Sequence, residues 1–175
     1  VVSPDPRPIR AKTLSFSPST DGAEITGELV YVPSAHARGV AELLGAARPQ
    51  IEQDLRGKVV LVDFWTYSCI NCVRTLPYVT QWYEKYKDKG LVVVGVHTPE
   101  YPFEKSTANV QASLKRFGIR YPVAQDNAYA TWDAYKNQYW PALYLIDANG
   151  KIVYQHFGEG QYAETEAQIQ KLLPR

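Results

Sequence analysis

Residues 58–72 read KVVLVDFWTYSCINC, a segment from which the fold can be predicted. Its first eight residues are mostly β-branched or aromatic, which is typical of a central strand covered on both faces. Cys69 and Cys72 follow at once, and apolar residues then recur at helical spacing as far as about residue 87. We therefore expect a buried strand that leads through a short turn into a helix, with both cysteines in its first turn.

The segments beyond this stretch complete an α/β pattern. A second apolar run at residues 91–96 follows the predicted helix after Gly90, so strand, helix and strand form a unit whose strands should be parallel. The remaining predicted elements are helices at 106–117, 127–135 and 163–173, a strand at 121–124, and a hairpin at 142–155 around Asn149-Gly150. Helices interleaved with a mixed sheet form an α/β sandwich.

Composition divides the chain into three parts. Residues 1–12 form a Pro-rich N-terminal arm, which should be extended and semi-rigid. Residues 13–54 carry short β-like patches at 13–16 and 28–32 and a partly helical stretch at 39–54, and they should pack on the core as an extension. Residues 55–175 hold the α/β domain.

The bulk properties exclude several classes of protein. A chain of 175 residues suits one domain with an extension, and its net charge of +1 provides no field for binding nucleic acid. The apolar runs are too short to span a bilayer. The chain begins with Val and holds no Met, which predicts a processed product from which a signal or anchor has been removed.

The spacing of Cys69 and Cys72 predicts redox chemistry. The first turn of a helix presents unpaired N–H groups and the positive end of the helix dipole, and both stabilise a thiolate at Cys69. Three residues on, the second sulfur lies on the same face within reach of the first. Cys69 should therefore attack a substrate disulfide, and Cys72 should resolve the mixed disulfide.

Metal binding and an inert pair of buried thiols are two alternatives for such a pair. Zinc takes four ligands, whereas the chain holds only these two cysteines and three scattered histidines, His36, His97 and His156. We therefore expect no metal and no cofactor. A copper chaperone of the Sco kind, which binds through two thiolates and one histidine, stays open as an alternative that requires His97 or His156 to reach the pair.

Asp63 is the only acidic residue in the predicted strand, where a carboxylate is costly unless it has a role. It lies six residues before Cys69. A buried carboxyl there would have a raised pKa and could accept the proton of Cys72 during resolution. The alternative is an ion pair with a nearby cation such as Lys58 or Lys151.

The order and spacing of these residues resemble the thioredoxin superfamily. The matching positions are Asp63, the pair Cys69 and Cys72, Pro77 and Pro141. The resemblance implies that Asp63 assists the second cysteine and that Pro77 kinks the active-site helix. It also implies that Pro141 follows a cis peptide bond and lies against the disulfide, where it helps to bind the substrate backbone.

A longer resemblance is to TlpA/ResA-type proteins, and above all to the C-terminal thioredoxin-like domain of DipZ-type proteins. It covers about residues 55–173 and rests on the segments DFWTYSCINCVRTLPY, GVHTPEYPFEK, YPVAQDNAYATWDAYKNQYWPALYLID and HFGEGQY. It implies a thioredoxin-like α/β/α sandwich with a mixed central sheet and a TlpA/peroxiredoxin-type insertion at about residues 98–124. It further implies a glutamate near the site at about Thr98, for which Glu100 is the candidate.

The same resemblance implies a periplasmic or otherwise extracytoplasmic thiol–disulfide oxidoreductase that reduces protein disulfides, with a removed N-terminal segment as a candidate membrane tether. Its expected partners are protein disulfides or dithiols and a membrane electron-transfer protein of the CcdA/DsbD type. A thiol peroxidase stays open as an alternative because Thr66-x-x-Cys69 resembles the peroxiredoxin motif, although Val62 stands where that family has proline.

Three aromatic residues, Trp65, Tyr67 and Trp140, are candidate substrate-binding residues together with Pro141. Their rings would form an aromatic rim around Cys69. Trp140 stands where the family usually has a small or β-branched residue, so its ring would narrow the substrate groove. Ordinary core packing is the alternative for all three rings.

Overall fold

The computed structural model describes residues 14–17, 26–27 and 58–174, the first two ranges by their backbone alone. The strands are β1 (Leu14–Ser17), β2 (Thr26–Gly27), β3 (Val59–Trp65), β4 (Leu91–His97), β5 (Val123–Gln125), β6 (Ala142–Ile146) and β7 (Ile152–Phe157). The helices are α1 (Ile70–Tyr86), α2 (Thr107–Phe117), α3 (Ala130–Ala134) and α4 (Tyr162–Leu172), with 3-10 turns at Lys87–Lys89 and Pro102–Lys105.

The strands form one mixed sheet in the order β2-β1-β5-β4-β3-β6-β7. β3 is parallel to β4, and β4 is parallel to β5, whereas β6 pairs antiparallel with both β3 and β7. The predicted parallel unit and the predicted hairpin are therefore confirmed, and β3 lies near the middle of the sheet. The end of this central strand is where α1 begins.

Each face of the sheet is covered by its own apolar layer. On one face, Leu61 and Trp65 of β3 pack in a cluster with side chains of α1, α2 and α4. On the other face, Val60, Val62 and Phe64 pack in a cluster that includes residues of α3. Full burial of one such side chain stabilises the fold by about 1.5–3 kcal/mol. This double coverage confirms the α/β/α sandwich and explains why all seven residues of β3 are buried.

Helix boundaries follow local chemistry. α1 continues through Pro77 to Tyr86, and the chain leaves the following 3-10 turn at Gly90, whose φ of 98° suits glycine. The helix predicted from residue 127 begins only at Ala130. The reason is that the Asp126 carboxylate accepts the N–H groups of the first turn of α3, so that residues 126–129 form its entry.

The described part of the N-terminal region is the two-strand unit β1–β2. β1 pairs antiparallel with β5, so the predicted strand at 13–16 is confirmed with a shift of one residue. The predicted patch at 28–32 and the helical stretch at 39–54 lie outside the described residues, and the division at residues 12 and 54 stays a prediction. Within residues 58–174 we find no helix that combines the length and apolar character needed to cross a membrane.

Candidate active site

The two thiols lie where α1 begins. Cys69 is the residue that caps the helix, and the N–H of Cys72 donates to its Sγ at 3.2 Å. Both cysteines are free thiols. Cys69 is half-buried, whereas Cys72 is 1% exposed and packs in the core. The end of the central strand therefore presents one accessible sulfur with a second one directly behind it.

Hydrogen bonds make the two thiols chemically different. The pKa of Cys69 is lowered to about 7, chiefly because the Cys72 thiol donates to its sulfur and also because the N–H groups of Cys72 and Asn71 point to it. Burial and the charge of Glu100 oppose this lowering of the pKa. Burial strongly raises the pKa of Cys72, and the adjacent Cys69 raises it further. About half of Cys69 is thiolate at pH 7, while Cys72 keeps its proton.

Asp63 lies buried in the middle of β3, and neither of its carboxyl oxygens has a hydrogen-bond partner among residues 58–174. The alternative of an ion pair with Lys58 or Lys151 is therefore wrong. Burial, together with the charge on Cys69, raises the pKa of Asp63 to about 7. The charge of Asp63 in turn raises the pKa of Cys72. The carboxyl is thus electrostatically coupled to both thiols.

The aromatic candidates divide into core and surface. The substrate-binding interpretation is wrong for Trp65, because its ring is 0% exposed and belongs to the core layer under α1. Tyr67 is half-buried, and its hydroxyl donates to the Phe103 carbonyl at 2.9 Å. Trp140 is also half-buried, and its Nε1 donates to the Thr98 carbonyl at 3.0 Å. Both of these rings border solvent while being fixed in place.

Pro141 stands at the start of β6, and the peptide bond that precedes it is cis, as the resemblance implies. Pro141 itself is buried, and its carbonyl accepts the N–H of Gly158 at 2.9 Å. Its contact with a substrate backbone stays a prediction.

A sequence profile of the family described as Redoxin matches residues 46–173, which is more than half of the chain. The chain belongs to the Redoxin family. Within the described residues, the Redoxin match takes in both thiols, Asp63 and Pro141 together with all the elements from β3 to α4.

Named relatives define this Redoxin chain further. It is 48% identical to the protein DipZ of Mycobacterium bovis over 94% of the chain, but it spans only 24% of DipZ. It is 31% identical to the thiol-disulfide oxidoreductase ResA of Bacillus thuringiensis, covering 70% of this chain and 68% of ResA. A thiol-disulfide isomerase from Corynebacterium glutamicum is 26% identical, with a TM-score of 0.64, over 70% of this chain and 85% of that protein.

These relatives confirm the thioredoxin-like fold and the resemblance to TlpA/ResA-type and DipZ-type proteins. The Redoxin chain is thus similar to proteins named as thiol–disulfide oxidoreductases and isomerases. It spans about a quarter of the length of DipZ, so the reaction, substrates and partners of a longer protein are matters for proposal.

Glu104 is a buried residue of the Redoxin site that sequence reasoning missed. The resemblance points to Thr98 or Glu100, but Glu100 is exposed, whereas Glu104 is 0% exposed. The Ser68 hydroxyl, one residue before Cys69, donates to its Oε1. A residue 36 positions away joins the active-site segment through this bond. The only local signal was an acidic side chain early in a short helical turn.

The two histidines of the copper alternative do not approach the thiols as ligands. His97 is buried with its Nε2 3.3 Å from Thr66 Oγ1, and its ring lies against Trp65 and Tyr67. His156 belongs to β7, where it pairs with a residue of β6. No set of three or more His, Cys, Asp or Glu side chains within residues 58–174 is arranged to hold a metal ion.

Gly95 is the register partner of Asp63 on β4, and it gives the rings beside Asp63 their room. A Cβ at Gly95 would lie 3.0 Å from Val123 Cγ2, 3.1 Å from Trp65 Nε1 and 3.2 Å from Tyr121 Cε2. We expect Gly95→Ala to lower the free energy of unfolding by about 1–3 kcal/mol, because overpacking a dense core strains it. Urea unfolding measures this effect, and an unchanged midpoint would contradict the close packing.

Proposed function

We propose that this Redoxin chain is an extracytoplasmic reductase of protein disulfides that works through Cys69 and Cys72. The observation that carries the proposal is the asymmetry of the pair. The accessible thiol has a pKa of about 7, whereas burial keeps the pKa of the thiol behind it high. Such a pair attacks with one sulfur and resolves with the other.

The reaction begins at Cys69. Its thiolate attacks one sulfur of a substrate disulfide, the substrate S–S bond breaks, and the released substrate thiolate takes a proton from solvent. A mixed disulfide now joins Cys69 to the substrate. The mixed disulfide removes the charge of Cys69, which had raised the pKa of Cys72. The Cys72 thiol therefore loses its proton more readily at this stage.

Resolution needs a base for Cys72. The Asp63 carboxylate, with a pKa of about 7, accepts the proton of the Cys72 thiol directly or through a water. Cys72 then attacks the sulfur of Cys69, and the second substrate thiolate leaves. The protein ends with a Cys69–Cys72 disulfide and has passed two electrons to the substrate, which gains two protons.

The pKa of Cys69 favours reduction of substrates over their oxidation. Thioredoxin, a reductant, has a nucleophilic cysteine with a pKa of ~7, whereas the strong oxidant DsbA has a pKa of ~3.5. A very low pKa stabilises the reduced form and so makes the disulfide oxidising. The pKa of about 7 for Cys69 supports the proposal of a reducing protein.

An electron donor and a location complete the proposal. The 48% identity to DipZ supports the expectation that this chain receives electrons from a membrane protein of the CcdA/DsbD type. Substrates on that side of the membrane would be protein disulfides, in the periplasm or at the cell exterior. The half-buried rings of Tyr67 and Trp140 near Cys69 would contact the substrate chain.

The reduction potential tests the direction of the reaction. Equilibration of the Cys69–Cys72 couple against glutathione and dithiothreitol buffers should give a value near that of thioredoxin, roughly −270 mV. Turbidity from insulin reduction should show catalysis in the same preparation. A potential near roughly −120 mV would overturn the reductase proposal in favour of disulfide donation.

A further inference from the structure

We infer that Glu104 is a positioning residue that holds the segment before Cys69 in place and thereby sets the reactivity of the attacking sulfur. The inference rests on the proposed function in one respect only, since it takes Cys69 as the attacking sulfur. It concerns a residue of the insertion between β4 and α2, far from the thiols in sequence.

The Glu104 carboxylate joins two segments of chain. Its Oε2 accepts the N–H of Glu100 at 2.6 Å and the N–H of Tyr101 at 2.8 Å, which fixes the carboxylate to its own loop. Its Oε1 accepts from the hydroxyl of Ser68. The nearby Thr66 hydroxyl also contributes to lowering the pKa of Glu104. Although burial raises the pKa of Glu104, these hydrogen bonds outweigh it and hold the pKa below its usual value, so the group is charged.

Thr66 also contacts a buried histidine. Its Oγ1 lies 3.3 Å from His97 Nε2, and His97 Nδ1 has no hydrogen-bond partner among residues 58–174. Burial lowers the pKa of His97 to about 4, so the ring is neutral at physiological pH. Glu104 is thus an anionic group that acts electrostatically on a neutral, buried ring.

The backbone of Thr66 connects this segment to Cys69. The Thr66 carbonyl accepts the N–H of Cys69 at 3.4 Å. Glu104 therefore holds the side chain of Ser68, which lies between Thr66 and Cys69 in the chain. If these bonds are lost, the Cys69 sulfur is less well aligned with the N–H groups at the start of α1 that stabilise its thiolate.

Positioning and charge predict opposite results at Cys69. A negative charge that acted on the thiolate only through space would destabilise it, so removing that charge would lower the pKa of Cys69. A positioning residue stabilises the thiolate indirectly, so its removal would raise the pKa. The sign of the change therefore separates the two roles, and a purely structural role elsewhere in the fold would leave the pKa unchanged.

The test measures the rate of alkylation of Cys69 by iodoacetamide against pH, in the reduced full chain. Glu104→Gln keeps the size of the side chain, but its single carbonyl oxygen cannot accept both the Ser68 hydroxyl and the N–H groups of Glu100 and Tyr101. It should raise the apparent pKa of Cys69 by ~0.7 and so slow alkylation at pH 7 by about threefold. Ser68→Ala removes one bond and leaves Glu104 in place, and it should change the rate in the same direction by about twofold.

The double variant and a control sharpen the test. Because the two residues act through one contact, the effects of Glu104→Gln and Ser68→Ala should combine to less than their product. Glu166→Gln is the matched control. The Glu166 carboxylate accepts a hydrogen bond from the Tyr86 hydroxyl at 2.6 Å, at the end of α1 away from the thiols. Loss of this carboxylate should leave the alkylation profile unchanged. Circular dichroism verifies folding, and Ser68→Ala alone serves as the test if the Glu104 variant does not fold.

Three outcomes would overturn the inference: wild-type alkylation profiles in both variants, a lowered pKa of Cys69 in Glu104→Gln, or strictly multiplicative effects. Alkylation needs no protein substrate, so these outcomes are independent of the proposed function. A wild-type chain that fails to reduce insulin would instead overturn the proposed function, and the alkylation profiles would still be readable.

Discussion

Cys72→Ser is expected to accumulate a covalent adduct with its protein substrate, whereas Cys69→Ser forms none. The first variant keeps the accessible thiol with its pKa near 7 but lacks the sulfur that resolves the mixed disulfide. The second variant retains only a buried thiol with a raised pKa. Insulin reduction should fall to background in both. Non-reducing electrophoresis and mass spectrometry detect the adduct.

The two cysteine variants serve as controls for each other. Each lacks one sulfur, so a difference between them reflects position and not the number of thiols. Equal trapping by both variants would contradict the division of roles between the exposed and the buried sulfur. Trapping by Cys69→Ser alone would reverse that division.

Asp63→Asn should slow resolution of the mixed disulfide on the order of 10²-fold, because a general base contributes ~10²–10⁴ to such a step. Attack by Cys69 should change much less. Stopped-flow measurement of both phases with a disulfide substrate, such as a mixed glutathione disulfide, separates the two steps. Equal slowing of both phases would contradict a role for Asp63 at Cys72.

The same variant should change how stability depends on pH. The pKa of Asp63 is about 7 in the folded chain and 3.8 for an unperturbed group, so its contribution to the stability of the folded state is complete only below pH 3.8. As the pH rises from 3.8 to about 7, the free energy of unfolding of the wild type falls by ~1.4 kcal/mol per pH unit. The total loss is about 4 kcal/mol above pH 7. Asp63→Asn removes that loss.

Urea unfolding of wild type and Asp63→Asn from pH 4 to pH 8 measures this linkage. The free-energy difference should move in favour of the variant as pH rises and level off above pH 7, whatever constant cost the buried amide adds. A pH-independent difference for Asp63→Asn would contradict the raised pKa.

The parts of the site that lie close together in sequence were predictable. Asp63 lies on a strand, and Cys69 and Cys72 lie at the start of the helix that follows it. Because the strand leads directly into the helix, the sequence alone places the three residues near one another. Asp63 could be recognised as a candidate site residue because a carboxylate buried without a partner in an apolar strand is costly. The cysteines could be recognised because a spacing of three residues is about one helical turn, which brings their sulfur atoms together.

Contacts between distant segments were not predictable in the same way. Ser68 and Glu104 are separated by 36 positions, and their contact depends on how the insertion folds back over the end of β3. Trp65 was open to two interpretations, as a core residue or as part of an aromatic rim around Cys69. Because β3 is buried on both faces, its sequence shows no alternation of apolar and polar residues that could distinguish the two. The start of α3 depended on side-chain hydrogen bonds from Asp126.

The placement of Cys72 directly behind Cys69 also limits oxidative damage. Peroxide that oxidises the Cys69 thiolate gives a sulfenic acid, and the adjacent Cys72 thiol condenses with it, releasing water and forming the disulfide. That product is the oxidised state of the catalytic cycle, which a reductant reverses, so the irreversible sulfinic stage is avoided. The 175 residues contain no methionine and no third cysteine, so every sulfur atom in the chain is protected by this pairing.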